Sequence, residues 1–148
     1  MKEQWIMTLK SIQYDENEAS ESTLDTEIEY YKTPEGERII AYEESEATGM
    51  EGSDMQLRIA KDGRVSIVRT GGYQTHLVVQ KGKKHFCHYE TPFGFFAVGV
   101  SAKWIRNELT DEGGKLAMRY TVDANTTLLS DNEIRIDVRK MKNQEANT

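Results

Sequence analysis

Apolar and polar residues alternate strictly over two segments near the end of the chain. In residues 134–139, Ile, Ile and Val alternate with Arg, Asp and Arg. In residues 115–122, polar or small residues alternate with four apolar ones, Leu116, Met118, Tyr120 and Val122. A period of two is that of a β-strand with one face buried and the other in water. Both segments are therefore predicted to be half-buried strands.

Short turn motifs separate the alternating segments. Asp62-Gly63 lies between two such runs and predicts a two-residue type I′ turn, in which both central residues take positive φ. Further turns are expected where Gly, Pro, Asp or Asn cluster, at residues 71–72, 81–83, 91–94, 111–114 and 130–132. Tight turns between consecutive strands indicate an antiparallel sheet in which each strand lies beside the next.

About eight to ten strands in one meandering chain leave two architectures open, a closed barrel or a two-sheet sandwich. Successive tight hairpins favour the barrel, because closure removes the edge strands that promote aggregation. We therefore predict an all-β protein, a single antiparallel up-and-down barrel. The length of 148 residues suits one domain with a sizeable core, and residues 1–148 are taken as a single β-barrel domain.

Two segments are harder to interpret from the pattern alone. Residues 96–104 continue the strand alternation and place Trp104 on the same face as Val98 and Val100, although residues 102, 105 and 109 also fit helical spacing. A strand is the preferred interpretation there. Residues 15–27 contain six acidic residues and no basic one, which predicts a solvated, mobile connection after the first strand.

Charge and cysteine content limit the partners and the compartment. The chain has 19 basic and 25 acidic residues, a formal net charge of −6, so it lacks the basic balance of a protein that neutralises phosphates. The single cysteine, Cys87, is typical of a reducing cytosol. No apolar run approaches the length of a membrane span or a signal-peptide core. We expect a cytoplasmic protein with neither nucleic acid nor membrane as a partner.

Three motifs resemble a known family. They are the run Gly63-x-Val65-x-Ile67-x-Arg69-x-Gly71, the turn Tyr89-x-Thr91-Pro92-Phe93-Gly94 and the run Gly114-x-Leu116-x-Met118-x-Tyr120. Together they resemble the YwiB-like family of small bacterial proteins, described as a domain of unknown function. The resemblance implies a calycin-type barrel, the architecture of lipocalins and fatty-acid-binding proteins. It implies no activity, because shared barrel shape does not define a ligand or a reaction.

Arg69 is the most informative polar residue, because it shares the strand parity of Val65 and Ile67 and so points toward the predicted interior. A buried arginine needs a carboxylate, backbone carbonyls or an anionic ligand as its partner. Its place at a strand end also allows a structural role, in which the stem lies on the core and the head reaches the rim. Both interpretations stay open at this point.

Residues 85–90 contain two of the three histidines, the only cysteine and a glutamate. On a strand, however, His85 and Cys87 face one way while His88 and Glu90 face the other, so only two strong metal ligands share a face. The third histidine, His76, could approach from a neighbouring strand. No serine-hydrolase elbow occurs either. We predict no metal site, no cofactor and no catalytic residue, and an enzyme is the less favoured class.

Two hypotheses remain. In the first, the barrel binds a small amphipathic or anionic ligand inside or at its mouth through a few polar and aromatic residues, namely Arg69, His88, Tyr120, Tyr42 and Trp104. In the second, a filled barrel is a non-enzymatic protein–protein interaction module. A void large enough for a ligand would favour the first hypothesis, and an exposed apolar patch the second. In either case we expect a monomer or a homodimer.

Overall fold

The structure is a computed structural model of the chain and describes residues 3–44, 52–71 and 74–141. Ten strands account for most of these residues. In chain order they are β1 (Trp5–Tyr14), β2 (Ala19–Lys32), β3 (Arg38–Glu43), β4 (Asp54–Ile59), β5 (Val65–Thr70), β6 (Thr75–Val79), β7 (His85–Thr91), β8 (Gly94–Thr110), β9 (Gly113–Ala124) and β10 (Thr127–Lys140).

Each strand pairs antiparallel with the next along the chain, and β10 pairs with β1, so the sheet closes into a barrel. The closing pair runs in register from Trp5 opposite Lys140 to Gln13 opposite Asn132. The prediction of an all-β, up-and-down antiparallel barrel is confirmed. The preferred strand over residues 96–104 is confirmed as well, since it lies within β8. None of the described segments forms a helix with the length and apolarity that crossing a bilayer requires.

The turn chemistry differs in detail from the prediction. Between β4 and β5 only Gly63 has positive φ, and the Gly63 N–H donates to the Ala60 carbonyl at 3.0 Å. This is a type I turn closed by a glycine bulge, so the predicted type I′ turn is wrong. Two consecutive residues with positive φ occur instead between β9 and β10, at Asn125 and Thr126. The turn expected at residues 71–72 lies partly outside the described residues.

Two segments predicted as connections are strands. Residues 15–27 were expected to be a mobile acidic connection, but β2 begins at Ala19 and pairs with β1 through Ile28. Only residues 15–18 form the turn. The turn expected at residues 130–132 lies within β10. In both places the strand is solvent-exposed, and its small and polar residues give it the composition of a loop. Pairing with a neighbouring strand that is more buried nevertheless makes it a strand.

A bulge in β8 changes which face its second half presents. The pairing of β8 with β9 shifts register between Ala102 and Trp104, where Lys103 is the extra residue. Trp104 therefore lies opposite Arg119 on the outer face, between the guanidinium groups of Arg106 and Arg135. The predicted placement of Trp104 beside Val98 and Val100 is wrong, because one extra residue reverses the alternation that follows it.

The barrel interior is filled at one end only. We call the end at which β1, β3, β5, β7 and β9 terminate the cavity end, and the opposite one the filled end. At the filled end the Trp5 ring meets the Tyr30 ring edge-on at 4.8 Å, and the Tyr30 hydroxyl donates to the Thr110 carbonyl at 2.7 Å. Tightly packed side chains complete this half of the core: Met7, Ile40, Val65, Val79, Leu116 and Met118.

Candidate functional site

A cavity of about 490 Å³ occupies the interior at the cavity end. Its walls are apolar over most of the barrel circumference, with Leu9, Leu24, Met55, Leu57, Ile67, Leu77 and Ile134. Its polar groups are one ion pair, three tyrosines, one threonine of β6 and small hydroxyls of β1 and β2. The volume lies in the range of small-molecule sites in proteins, and apolar walls with few polar groups are typical of them.

Two features of the sequence leave this space open. The inward-facing residues of β1 and β2 are large at the filled end, but at the cavity end they include the small Ser11 and Ser22. These two serines lie opposite one another on β1 and β2. In addition, β2 pairs with β3 only over residues 29–32, so residues 19–28 have β1 as their only strand partner in the described part of the chain. The wall therefore diverges where β3 ends, and the interior is wider there.

Arg69 lies at the end of β5 with its side chain in the cavity, as its strand parity predicts. Its Nη2 donates to Oε1 of Glu44 at 3.0 Å, and the side chain of Glu44 is only 3% exposed. The Nε–H of Arg69 is buried and has no hydrogen-bond partner among the described residues. An unsatisfied buried donor costs free energy, so a ligand acceptor at this point would be favoured.

Tyr42 on β3 and Tyr120 on β9 also line the cavity. Burial raises the pKa of Tyr42 to about 12, the Glu44 carboxylate adds to this rise, and the Arg69 guanidinium opposes it. Burial likewise raises the pKa of Tyr120 to about 12, with Tyr89 adding to the rise and Arg69 opposing it. Both phenols are consequently neutral at physiological pH and are available as hydrogen-bond donors near Arg69.

These shifts predict a two-step phenol titration with a stability consequence. Ordinary tyrosines ionise near pH 10, whereas Tyr42 and Tyr120 should ionise near pH 12 in the folded protein. Because their folded pKa is raised, their contribution to stability is complete below pH 10 and is lost as the pH rises through 12. For Tyr120 this amounts to about 3 kcal/mol. Phenolate absorbance during an alkaline titration measures it.

The Tyr120→Phe variant provides the control for that titration. It should remove one late-ionising group and flatten the fall in unfolding free energy between pH 10 and pH 12. A folded wild-type protein whose phenols all ionise near pH 10 would contradict the assigned burial.

The other two predicted ligand residues do not reach the cavity. His88 is exposed on the outer face, because the alternation of β7 turns Cys87 and Tyr89 inward. Trp104 is outward-facing because of the β8 bulge. The prediction that His88 and Trp104 hold a ligand inside the barrel is therefore corrected, because neither side chain lines the cavity.

The histidine and cysteine cluster of β7 has structural contacts. The Cys87 Sγ accepts a hydrogen bond from the Val78 N–H at 3.4 Å, and the His85 ring lies 2.8 Å from the Gln80 side-chain oxygen. His76 is exposed on β6. Within the described ranges no three His, Cys, Asp or Glu side chains are grouped so that they could hold a metal ion.

Sequence reasoning missed two polar groups of the cavity, Glu44 and Tyr89. Both were available from parity. Glu44 follows Ile40 and Tyr42 at two-residue spacing, and Tyr89 follows Cys87 in the same way. In a chain with 25 acidic residues, the pair Glu43-Glu44 has the composition of solvated surface. The alternation of β3 was the stronger signal.

Three comparisons place this geometry among known proteins. The model of a family described as domain of unknown function (DUF1934) matches residues 7–136. Among solved structures, the ywiB protein from Bacillus subtilis matches with a TM-score of 0.80 and 16% identity, over 95% of this chain and 93% of that chain. No curated protein matches significantly. At 16% identity the structural likeness supports the barrel fold alone, and the resemblance to the YwiB-like family is confirmed.

Proposed function

The chain belongs to the family described as domain of unknown function (DUF1934), and we propose that it binds a small amphipathic anion inside the barrel. The observation that carries this proposal is the buried Arg69 Nε–H, which lacks a partner among the described residues and lies in a cavity of about 490 Å³. A carboxylate or a similar acidic head group would accept this hydrogen bond, and the apolar walls would bury a hydrocarbon or aromatic tail.

The charge balance of the site is consistent with one acidic head group. Glu44 already accepts one hydrogen bond from the Nη2 of Arg69, which leaves the buried Nε–H as the donor for a ligand. The neutral hydroxyls of Tyr42 on β3 and Tyr120 on β9 add two further donors from other parts of the cavity wall. We propose a binding protein rather than an enzyme, in the cytoplasm, with a small molecule rather than nucleic acid or a membrane as its ligand.

Native mass spectrometry of protein purified gently from its own host is the first test. We expect an added mass that disappears on denaturation, and its value identifies the ligand. The second test uses octanoate and octanamide, which share their length but differ in charge. Octanoate should bind at least about tenfold more tightly, a difference of about 1.4 kcal/mol, as measured by calorimetry.

Two variants separate the head-group site from the cavity. Arg69→Lys keeps the positive charge but removes the planar guanidinium fork. The affinity for octanoate should therefore fall toward the affinity for octanamide. Ser11→Phe should fill part of the cavity and weaken the binding of both compounds equally. Equal binding of the two compounds to the wild type, with no effect of Ser11→Phe, would refute the proposal.

The exposed surface favours a second candidate, the interaction module. That hypothesis assumed a filled barrel, and the cavity end is not filled. It also required an exposed apolar patch, and one is present, since the most exposed large apolar side chains include Phe86, Phe93 and Phe95. Contact with another protein through this patch is compatible with a ligand inside the barrel.

A further inference from the structure

The four phenylalanines of this chain all lie on one hairpin, and all are exposed. Large aromatic side chains normally dominate a protein core. Here they lie instead on β7 and β8 and on the turn between them, with exposed fractions of 81%, 91%, 66% and 49% for Phe86, Phe93, Phe95 and Phe96. A concentration of exposed aromatic surface on one element is typical of an interaction site.

In the same hairpin, part of β8 is paired with a neighbouring strand on one side only. β8 pairs with β7 from Gly94 to Val100, but its pairing with β9 begins only at Gly99. Over residues 95–98, β8 therefore has β7 as its only strand partner in the described ranges. Its backbone groups on the β9 side are available to another strand.

The segment that forms this edge is itself uncharged and largely apolar. Residues 91–101 contain no charged side chain, in a chain where 30% of residues are charged and the net charge is −6. Leu128 and Leu129, near the turn of the neighbouring β9–β10 hairpin, are also more than half exposed. Two copies of an acidic protein repel one another least where they meet through an uncharged surface.

We propose that this edge is the interface of a homodimer, in which residues 95–98 of two copies pair antiparallel across a twofold axis. A twofold axis relates two identical strands as an antiparallel pair, so the same segment of each copy can pair with itself. The dimer sheet satisfies the edge backbone and brings Phe95 and Phe96 against the second copy, one on each face of the strand, because Phe95 pairs with Glu90 and Phe96 with the inward-facing Tyr89. The four phenylalanines together expose on the order of 500–600 Å² per protomer, and a standard interface buries roughly 800 Å² per partner.

A lipid bilayer fits this surface less well than a second copy. An unpaired strand edge inserted into hydrocarbon would leave its backbone N–H and C=O groups without partners. The nearest charged group along the hairpin is Glu90, paired with Phe95 across the strands, and a carboxylate at this position disfavours anionic lipid head groups.

Sedimentation velocity of the full chain over a range of concentrations tests the proposal. We expect a dimer for the wild type and a dissociation constant raised at least about a hundredfold by Phe95→Asp, because the symmetric contact places two like charges in one interface. Tyr31→Asp is the matched control. Tyr31 is 45% exposed on β2, away from the edge, and its replacement should leave the dimer intact.

Hydrogen–deuterium exchange of the wild type distinguishes strand pairing from other contacts. Amides of residues 95–98 should exchange more slowly at concentrations where the dimer forms. A wild type that stays monomeric, or a dimer that Phe95→Asp does not weaken, overturns the proposal. The proposal is also overturned if the wild type is monomeric and binds phosphatidylcholine vesicles, and if Phe95→Asp abolishes that binding. Such a result would assign the patch to lipid.

Discussion

Replacement of Arg69 by methionine is expected to lower the free energy of unfolding by about 3 kcal/mol or more. The side chain of Glu44 is 3% exposed and its carboxylate receives a hydrogen bond from Arg69 at 3.0 Å. Methionine fills similar space but leaves that buried carboxylate without its cation, and an unpaired buried charge is far costlier than an unpaired neutral group. Urea unfolding at neutral pH, followed by circular dichroism, measures the loss.

The double variant Arg69→Met/Glu44→Gln separates the two roles of Arg69. It removes both charges together, so most of the lost stability should return while binding of octanoate stays weak. If the double variant is as unstable as Arg69→Met alone, the cost does not come from the isolated Glu44 carboxylate. If it binds octanoate as well as the wild type does, Arg69 is a structural residue only.

Replacement of Gly114 by alanine is expected to be nearly as damaging, with a loss of about 3 kcal/mol. Gly114 has a φ of +130° near the turn between β8 and β9, and a Cβ there would overlap the backbone carbonyl oxygen of Glu108. Because Gly114 pairs directly with Leu109, relief of that overlap requires the two strands to move apart. Thermal or urea unfolding of the purified variant measures the effect.

Gly82→Ala is the matched control for that substitution. Gly82 also has positive φ, +79°, but a Cβ at this position would meet no atom within 4 Å. Its replacement should cost about 1 kcal/mol through backbone conformation alone. Similar losses for the two variants would show that the steric overlap at Gly114 is relieved without cost.

The sequence was sufficient for the architecture because its evidence is local and repeated. Alternation along β9 and β10 identifies the buried face, and tight turns impose the order of neighbouring strands. The inward position of Arg69 follows from the same parity. The identity of its partner does not, because Glu44 lies 25 residues away, directly after β3. The two meet because β3 and β5 pair with opposite sides of β4.

The errors have a common origin in features that break or hide the alternation. One extra residue at Lys103 turns Trp104 outward, and no local composition marks such a bulge. The acidic part of β2 has the composition of a loop, yet it pairs residue by residue with β1. The exposure of the four phenylalanines is also hidden from local pattern, because large aromatic residues are usually buried.

Closure of the sheet through β1 and β10 also determines when the fold can be completed. β1 leaves the ribosome first, but residues 5–13 receive their second neighbour only when residues 132–140 have been synthesised. Contacts between such distant parts of the chain make folding slow, because the cost of closing the long loop precedes the gain. During synthesis β1 is therefore the edge of an incomplete sheet, and the last strand converts a growing meander into a barrel in a single late step.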